Sequence, residues 1–137
     1  MIITKLTGGL GNQMFQYAMG RSLAEKNQTE FKMDITGYKN QKGITPRKYA
    51  LQIFNVQESF IDDINIDFLV KFFRSYKIGK ILLKLYNFLP IKSRYYIVEP
   101  HYHFFSQIFN VSKECYLDGY WQSEKYFKDI ENIVRKE

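Results

Sequence analysis

One cysteine, three prolines and one tryptophan in 137 residues leave several protein classes without material. Cys115 alone cannot close an intramolecular disulfide, and small secreted domains ordinarily carry several, so a reducing, cytoplasmic compartment is expected. So few prolines exclude collagen-like and proline-rich low-complexity chains. No apolar run approaches the roughly 18 residues of a membrane span. The opening Met1-Ile2-Ile3-Thr4-Lys5-Leu6 lacks the charged head, apolar stretch and cleavage site of a signal peptide. The two histidines, His101 and His103, are two apart, a spacing that on a strand would put both on one face, but have no cysteine or third histidine beside them, so no metal is expected. Acid is also missing locally: from Phe68 to Val98 there are seven basic residues (Lys71, Arg74, Lys77, Lys80, Lys84, Lys92, Arg94) and no Asp or Glu. That stretch accounts for the net charge of +6 and biases the chain toward an anionic partner.

What is present suits one globular domain, or part of a larger fold. The chain is 45% hydrophobic and carries 12 Phe and 11 Tyr, enough for an aromatic core or for an apolar surface that awaits a partner. Met1 to Leu6 reads as a strand and Thr7-Gly8-Gly9-Leu10-Gly11 as a glycine turn. A helix follows from Asn12 to Lys26, with Phe15, Ala18, Met19, Ser22 and Leu23 forming a single buried stripe before Asn27 and Gln28 break it. Glu30 to Ile35 alternates with period two and returns as a parallel strand, giving a right-handed βαβ unit with Asp34 near its carboxyl end. The spacing from Asp67 to Leu89 predicts a helix interrupted by Gly79 and ended by Pro90. Tyr95 to Val98 and Cys115 to Asp118 read as strands, and a last helix is predicted from an N-cap at Ser123, with Phe127, Ile130, Ile133 and Val134 inward. Four strands alternating with helices predict an α/β, Rossmann-like parallel sheet whose ligands bind beyond the carboxyl ends of the strands.

The glycine turn is the strongest local signal. A strand-to-helix turn leaves the first helical N–H groups unpaired at the positive end of the dipole, ready for an anion. The plainer reading is a tight turn alone. A dinucleotide fingerprint fails because Met14 stands where Gly9-x-Gly11 requires a third glycine, and a P-loop fails for want of Gly-Lys-Ser/Thr.

Read residue by residue, Gly8-Gly9-Leu10-Gly11-Asn12-Gln13-Met14-Phe15-Gln16-Tyr17-Ala18, continuing through Gly20-Arg21-x-Leu23-Ala24, strongly resembles the opening of the bacterial α-1,2-fucosyltransferases. Tyr116-Leu117-Asp118-Gly119-Tyr120-Trp121-Gln122-Ser123-Glu124-Lys125-Tyr126-Phe127 resembles that family's next block, in order. The resemblance is good at both ends and poor from about Gly37 to Ser93. It implies transfer of L-fucose from GDP-β-L-fucose to the 2-hydroxyl of a terminal galactose of an oligosaccharide acceptor, with inversion and with neither metal nor cofactor. It also implies that residues 1–137 are the acceptor-side, amino-terminal lobe of a two-lobed glycosyltransferase whose donor-binding lobe is absent. The family's His-x-Arg-x-Gly-Asp block, whose arginine neutralises the departing diphosphate, occurs nowhere in the chain. Little or no turnover is therefore expected of these residues alone.

On that resemblance Gly8, Gly9, Gly11, Asn12 and Gln13 floor the cleft, and Asp118 to Glu124 form its rim. Asn12 faces donor or acceptor, with a helix N-cap as the plainer role. Asp118, at a strand end, orients or deprotonates the acceptor hydroxyl. Trp121 stacks on a sugar or belongs to the core, while Gln122 and Glu124 contact the sugar. Arg21, two turns along the helix, is assigned a structural ion pair, and Asp34 a strand-end turn. For the basic stretch, a solvated lysine face over a buried aromatic one is preferred to contact with an anionic membrane from the cytoplasmic side. Nucleic acid finds no recognition signature. The competing reading of the whole chain is a non-catalytic remnant with an open sheet edge.

Overall fold

A computed structural model of the chain describes residues 1–39, 41, 43, 45–61, 72 and 77–137. Four short strands, β1 (Ile2–Lys5), β2 (Phe31–Asp34), β3 (Tyr96–Val98) and β4 (Cys115–Asp118), form an all-parallel sheet in the order β2-β1-β4-β3. Lys5 pairs with Asp34 on one side of β1, and Thr4 with Leu117 on the other. Tyr96 pairs with Tyr116 and Val98 with Asp118. The sheet is of the α/β, Rossmann-like kind predicted, and the two motif-bearing strands β1 and β4 are neighbours.

Helix α1 (Leu10–Asn27) packs on β1 and β2. The single buried stripe predicted for it is too narrow, since every residue from Gln16 to Ala24 is buried. The sheet covers one side, and the turns at Leu51–Ile53 and Glu124–Tyr126 pack on others. The closest helix–strand approach is made by Gly20, where a Cβ would overlap Thr4 Oγ1 and the Phe31 ring. Close packing, which the dinucleotide fingerprint assigns to a third glycine at the turn, is thus supplied two turns further along. The helix ends where Gln28 takes a left-handed conformation with φ of 50° and donates to the Glu25 carbonyl.

The core has a layer on each face of the sheet. On the α1 face Ile2, Met19, Leu23, Leu117 and Trp121 pack together with Ile108 and Tyr126. On the opposite face Ile3, Tyr96 and Tyr116 pack with Leu83 and Tyr86 of helix α2 (Lys77–Tyr86). The predicted helix start, Asp67, lies outside the described residues, as do Lys71 and Arg74. Gly79 does not interrupt α2; it is buried inside it. The open sheet edge expected of a remnant is covered beside β2, because Met33 pairs with Phe60, its N–H donating to the Ser59 carbonyl at 2.8 Å.

The carboxyl-terminal segment is not one helix. Two 3₁₀ turns, Glu124–Tyr126 and Lys128–Ile130, precede the four-residue α3 (Glu131–Val134), and Ser123 makes no side-chain cap bond. The reason is local: Tyr126 is drawn fully into the core beside Trp121, a position the predicted inward face of Phe127, Ile130, Ile133 and Val134 did not include. Arg21 has the ion pairs expected of it, with Glu137 at 3.2 Å and Glu25 at 3.4 Å.

Candidate functional site

Both motifs leave the carboxyl edge of the sheet from adjacent strands. After β1, Gly8 adopts φ of +77°, a left-handed conformation that favours glycine, and a Cβ there would strike the Asn12 side chain. Gly9 is the N-cap of α1 and contributes no side-chain acceptor, so the first helical N–H groups and the positive dipole end lie open beside Asn12. Across 110 positions of sequence, Gln122 Nε2 donates to Asn12 Oδ1 at 2.8 Å. The two blocks that carry the fucosyltransferase resemblance are thereby joined side chain to side chain.

Gln16 ties the same two loops from below. Its Oε1 accepts the Thr7 N–H at 3.0 Å, and its Nε2 donates to the Gly119 carbonyl at 3.0 Å. Gln13 holds the turn from the other side: it is fully buried, its Nε2 donates to the carbonyls of Gly8 and Lys48, and its Oε1 accepts the Ala50 N–H at 2.9 Å. The Gln13 amide is therefore committed to backbone. The placing of Gln13 on the cleft floor, facing donor or acceptor, gives way to a strap that fixes the turn against the loop at 48–50.

Asp118 closes β4. Lys5 Nζ donates to both of its oxygens, at 2.8 and 2.9 Å, and Tyr96 Oη donates to Oδ2 at 2.7 Å. The carboxylate keeps lone-pair capacity for a further donor. It borders a cleft of about 270 Å³ between the ends of β3 and β4, lined also by Val98, Glu99, His101, Tyr102 and Tyr120. Asn12 and Gln122 lie outside that lining, so Asp118 is linked to them through Gly119 and Gln16 rather than by direct contact. Asp34, expected at a strand-end turn, is fully buried, accepts the Thr36 N–H at 2.8 Å, and is hydrogen-bonded by the Tyr116 hydroxyl.

Glu99 shapes the loop after β4. Its Oε2 accepts the Tyr120 N–H at 2.7 Å and its Oε1 the Trp121 N–H at 3.1 Å, and its own N–H donates to the Asp118 carbonyl. Trp121 takes φ of 55°, an uncommon conformation for a non-glycine residue, which this clamp holds. Its side chain is 0% exposed and meets Tyr126 edge-on at 5.7 Å. Sugar stacking by Trp121 is thus corrected: the left-handed backbone turns the indole into the α1-side core, where both ring faces are covered. Glu124 is exposed and borders a separate depression of about 180 Å³ with Phe127, Lys128 and Arg135.

Three residues of the arrangement were not singled out in the sequence, Gln16 among them although it stands inside the first motif. Lys5 and Glu99 matter only through partners more than 20 positions away. Gln16 left a trace, as a polar residue one turn beyond Asn12 on a helix that the sheet and two turns bury. The His101 ring is bonded at Nδ1 to the backbone of His103, and among the described residues no cluster of three metal-ligating side chains occurs.

No family model and no solved structure matches the chain. It is similar to an alpha-1,2-colitosyltransferase of Escherichia coli, 27% identical over 143 residues that span 99% of this chain and 44% of the relative. The similarity to a glycosyltransferase therefore includes the middle of the chain, where the motif resemblance is poor. The chain spans less than half the length of that relative.

Proposed function

We propose that the chain is the acceptor-side portion of a GDP-β-L-fucose-dependent α-1,2-fucosyltransferase, binding a terminal galactoside at the carboxyl edge of the sheet. The observation that supports this most directly is the Asn12–Gln122 hydrogen bond, since it joins both motif blocks beside the open start of α1. In the proposed reaction the galactose 2-hydroxyl oxygen forms a bond to the anomeric carbon of fucose as the anomeric carbon–oxygen bond to phosphate breaks. GDP departs with the electron pair, and the hydroxyl proton passes to a base. Asp118 is assigned that proton, with Lys5 and Tyr96 orienting its carboxylate. Asn12 and Gln122 bond sugar hydroxyls, while the α1 amides face the diphosphate. Gly8, Gly9 and Gly11 let a ligand approach the backbone, and Glu124 is kept as a peripheral sugar contact.

Calorimetric titration with lactose tests the reading. The native chain is expected to bind, Asn12→Ala at least tenfold more weakly, about 1.4 kcal/mol. Asp118→Asn is expected to bind within a few fold of the native chain, because its proposed role arises only during transfer. An absence of heat at millimolar lactose, or equal affinity in Asn12→Ala, overturns it. Without His-x-Arg, incubation with GDP-fucose and lactose is expected to give far less fucosyl-lactose than an intact transferase gives.

A further inference from the structure

Among the described residues of the basic stretch, only some of the apolar side chains have the burial expected of them. Helix α2 gives the sheet only part of its apolar surface: Leu83 and Tyr86 pack on Ile3, Tyr96 and Tyr116. Leu82, Leu85, Phe88 and Leu89 remain exposed, Leu85 at 63% and Phe88 at 86%. Leu82 and Leu85 are spaced i, i+3 on one flank of the helix, and Leu89 follows in the turn after it. Phe88 stands on that turn, which Arg94 braces by donating to the carbonyls of Asn87 and Leu89. Lys84 and Lys92 are exposed beside it, and no Asp or Glu occurs between Phe68 and Val98. The ion pairs among the described residues use Lys5, Arg21 and Arg135, none of them from this stretch. The sheet can take only one side of α2; the other combines large apolar groups with uncompensated positive charge.

From this we infer that the exposed flank of α2 and the turn after it lie on the surface of an anionic lipid bilayer. Leu85, Phe88 and Leu89 enter the boundary between headgroups and acyl chains. Lys84, Lys92 and Arg94 stay among the lipid phosphates, their aliphatic stems running along the apolar surface. No described helix is long and apolar enough to cross a membrane, so the contact is peripheral. Charge selects this occupant over an apolar protein groove: each cation near an anionic leaflet multiplies binding about fivefold, a gain that a neutral partner does not offer. The inference does not depend on which sugar the site takes.

Co-sedimentation of the full chain with vesicles tests it. Binding is expected to mixed phosphatidylglycerol–phosphatidylcholine vesicles and not to phosphatidylcholine alone, and to be lost at salt that shortens the Debye length to about 3 Å. Leu85→Ser with Phe88→Ser is expected to lower the partition at least tenfold, and Lys84→Glu with Lys92→Glu to lower it at least as much, both with an unchanged circular dichroism spectrum. Failure to bind anionic vesicles, equal binding to neutral ones, or full binding by either variant overturns the proposal. So does a dimer in light scattering that Leu85→Ser with Phe88→Ser dissociates, because a second copy would then cover this flank.

Discussion

The carboxylate of Glu99 accepts two consecutive backbone N–H groups, and between them those bonds set the path from Gly119 to Gln122. With Glu99→Ala both N–H groups lose their acceptor, and Glu99→Gln restores one at most, since the amide nitrogen would oppose the other donor. Glu99→Ala is expected to cost about 2–3 kcal/mol, read from urea unfolding, and Glu99→Gln less, and both to weaken lactose binding through displacement of Gln122. An unchanged urea midpoint would show that the loop is set elsewhere. Asn12, Asp118 and Gln122 were singled out in the sequence because they stand inside contiguous motifs. Gln13, placed on the cleft floor, and Trp121, given the choice of sugar or core, stand in the same motifs and are both fully buried. A motif marks a residue as needed without saying whether it faces ligand or core, and here buried bonds to the Lys48 and Ala50 backbone and a left-handed φ decide for the core.

Two glycines of α1 meet opposite surroundings. Gly20 faces Thr4 and Phe31 with no room for a methyl group, whereas a Cβ on Gly11 would meet nothing within 4 Å. Gly20→Ala is therefore expected to destabilise by about 1–3 kcal/mol through overpacking. Gly11→Ala should leave stability unchanged or raise it by up to about 1 kcal/mol through the helical preference of alanine. Thermal melts of the two variants check the contrast, and equal shifts would contradict it. β2 was predictable from period-two alternation and α1 from period-3.6 patterning, while β1, β3 and β4 read as short apolar or β-branched runs because a parallel sheet buries both of their faces. The last segment was not predictable, since the pull of Tyr126 into the core breaks a helical register that its sequence would otherwise support. For the outer flank of α2 the sequence offered both a buried and a membrane-facing reading, because hydrophobic periodicity records that a side chain is apolar, not that the sheet beneath has room for it.

Across the whole molecule, burial moves several acids in one direction. Desolvation raises the Cys115 thiol to about 12 and the Tyr38 phenol to about 12, and raises Tyr17, Tyr49 and Tyr126 as well. Below the unfolded values, about 8.5 for Cys and about 10 for Tyr, both states hold these protons and the groups add no pH dependence. Above them the unfolded chain releases protons first, so stability falls with rising pH until the folded groups titrate in turn. The urea midpoint is expected to decline steadily from about pH 9 toward pH 12. A flat profile would contradict the burial of these side chains. The same compact arrangement brings two distant loops together above β1 and β4, and the functional account rests on that junction. It is tested most directly by the side-chain amide resonances of Asn12 and Gln122 in nitrogen–proton correlation spectra during a lactose titration. Both are predicted to move together and to saturate; resonances that stay fixed at millimolar sugar would contradict the account.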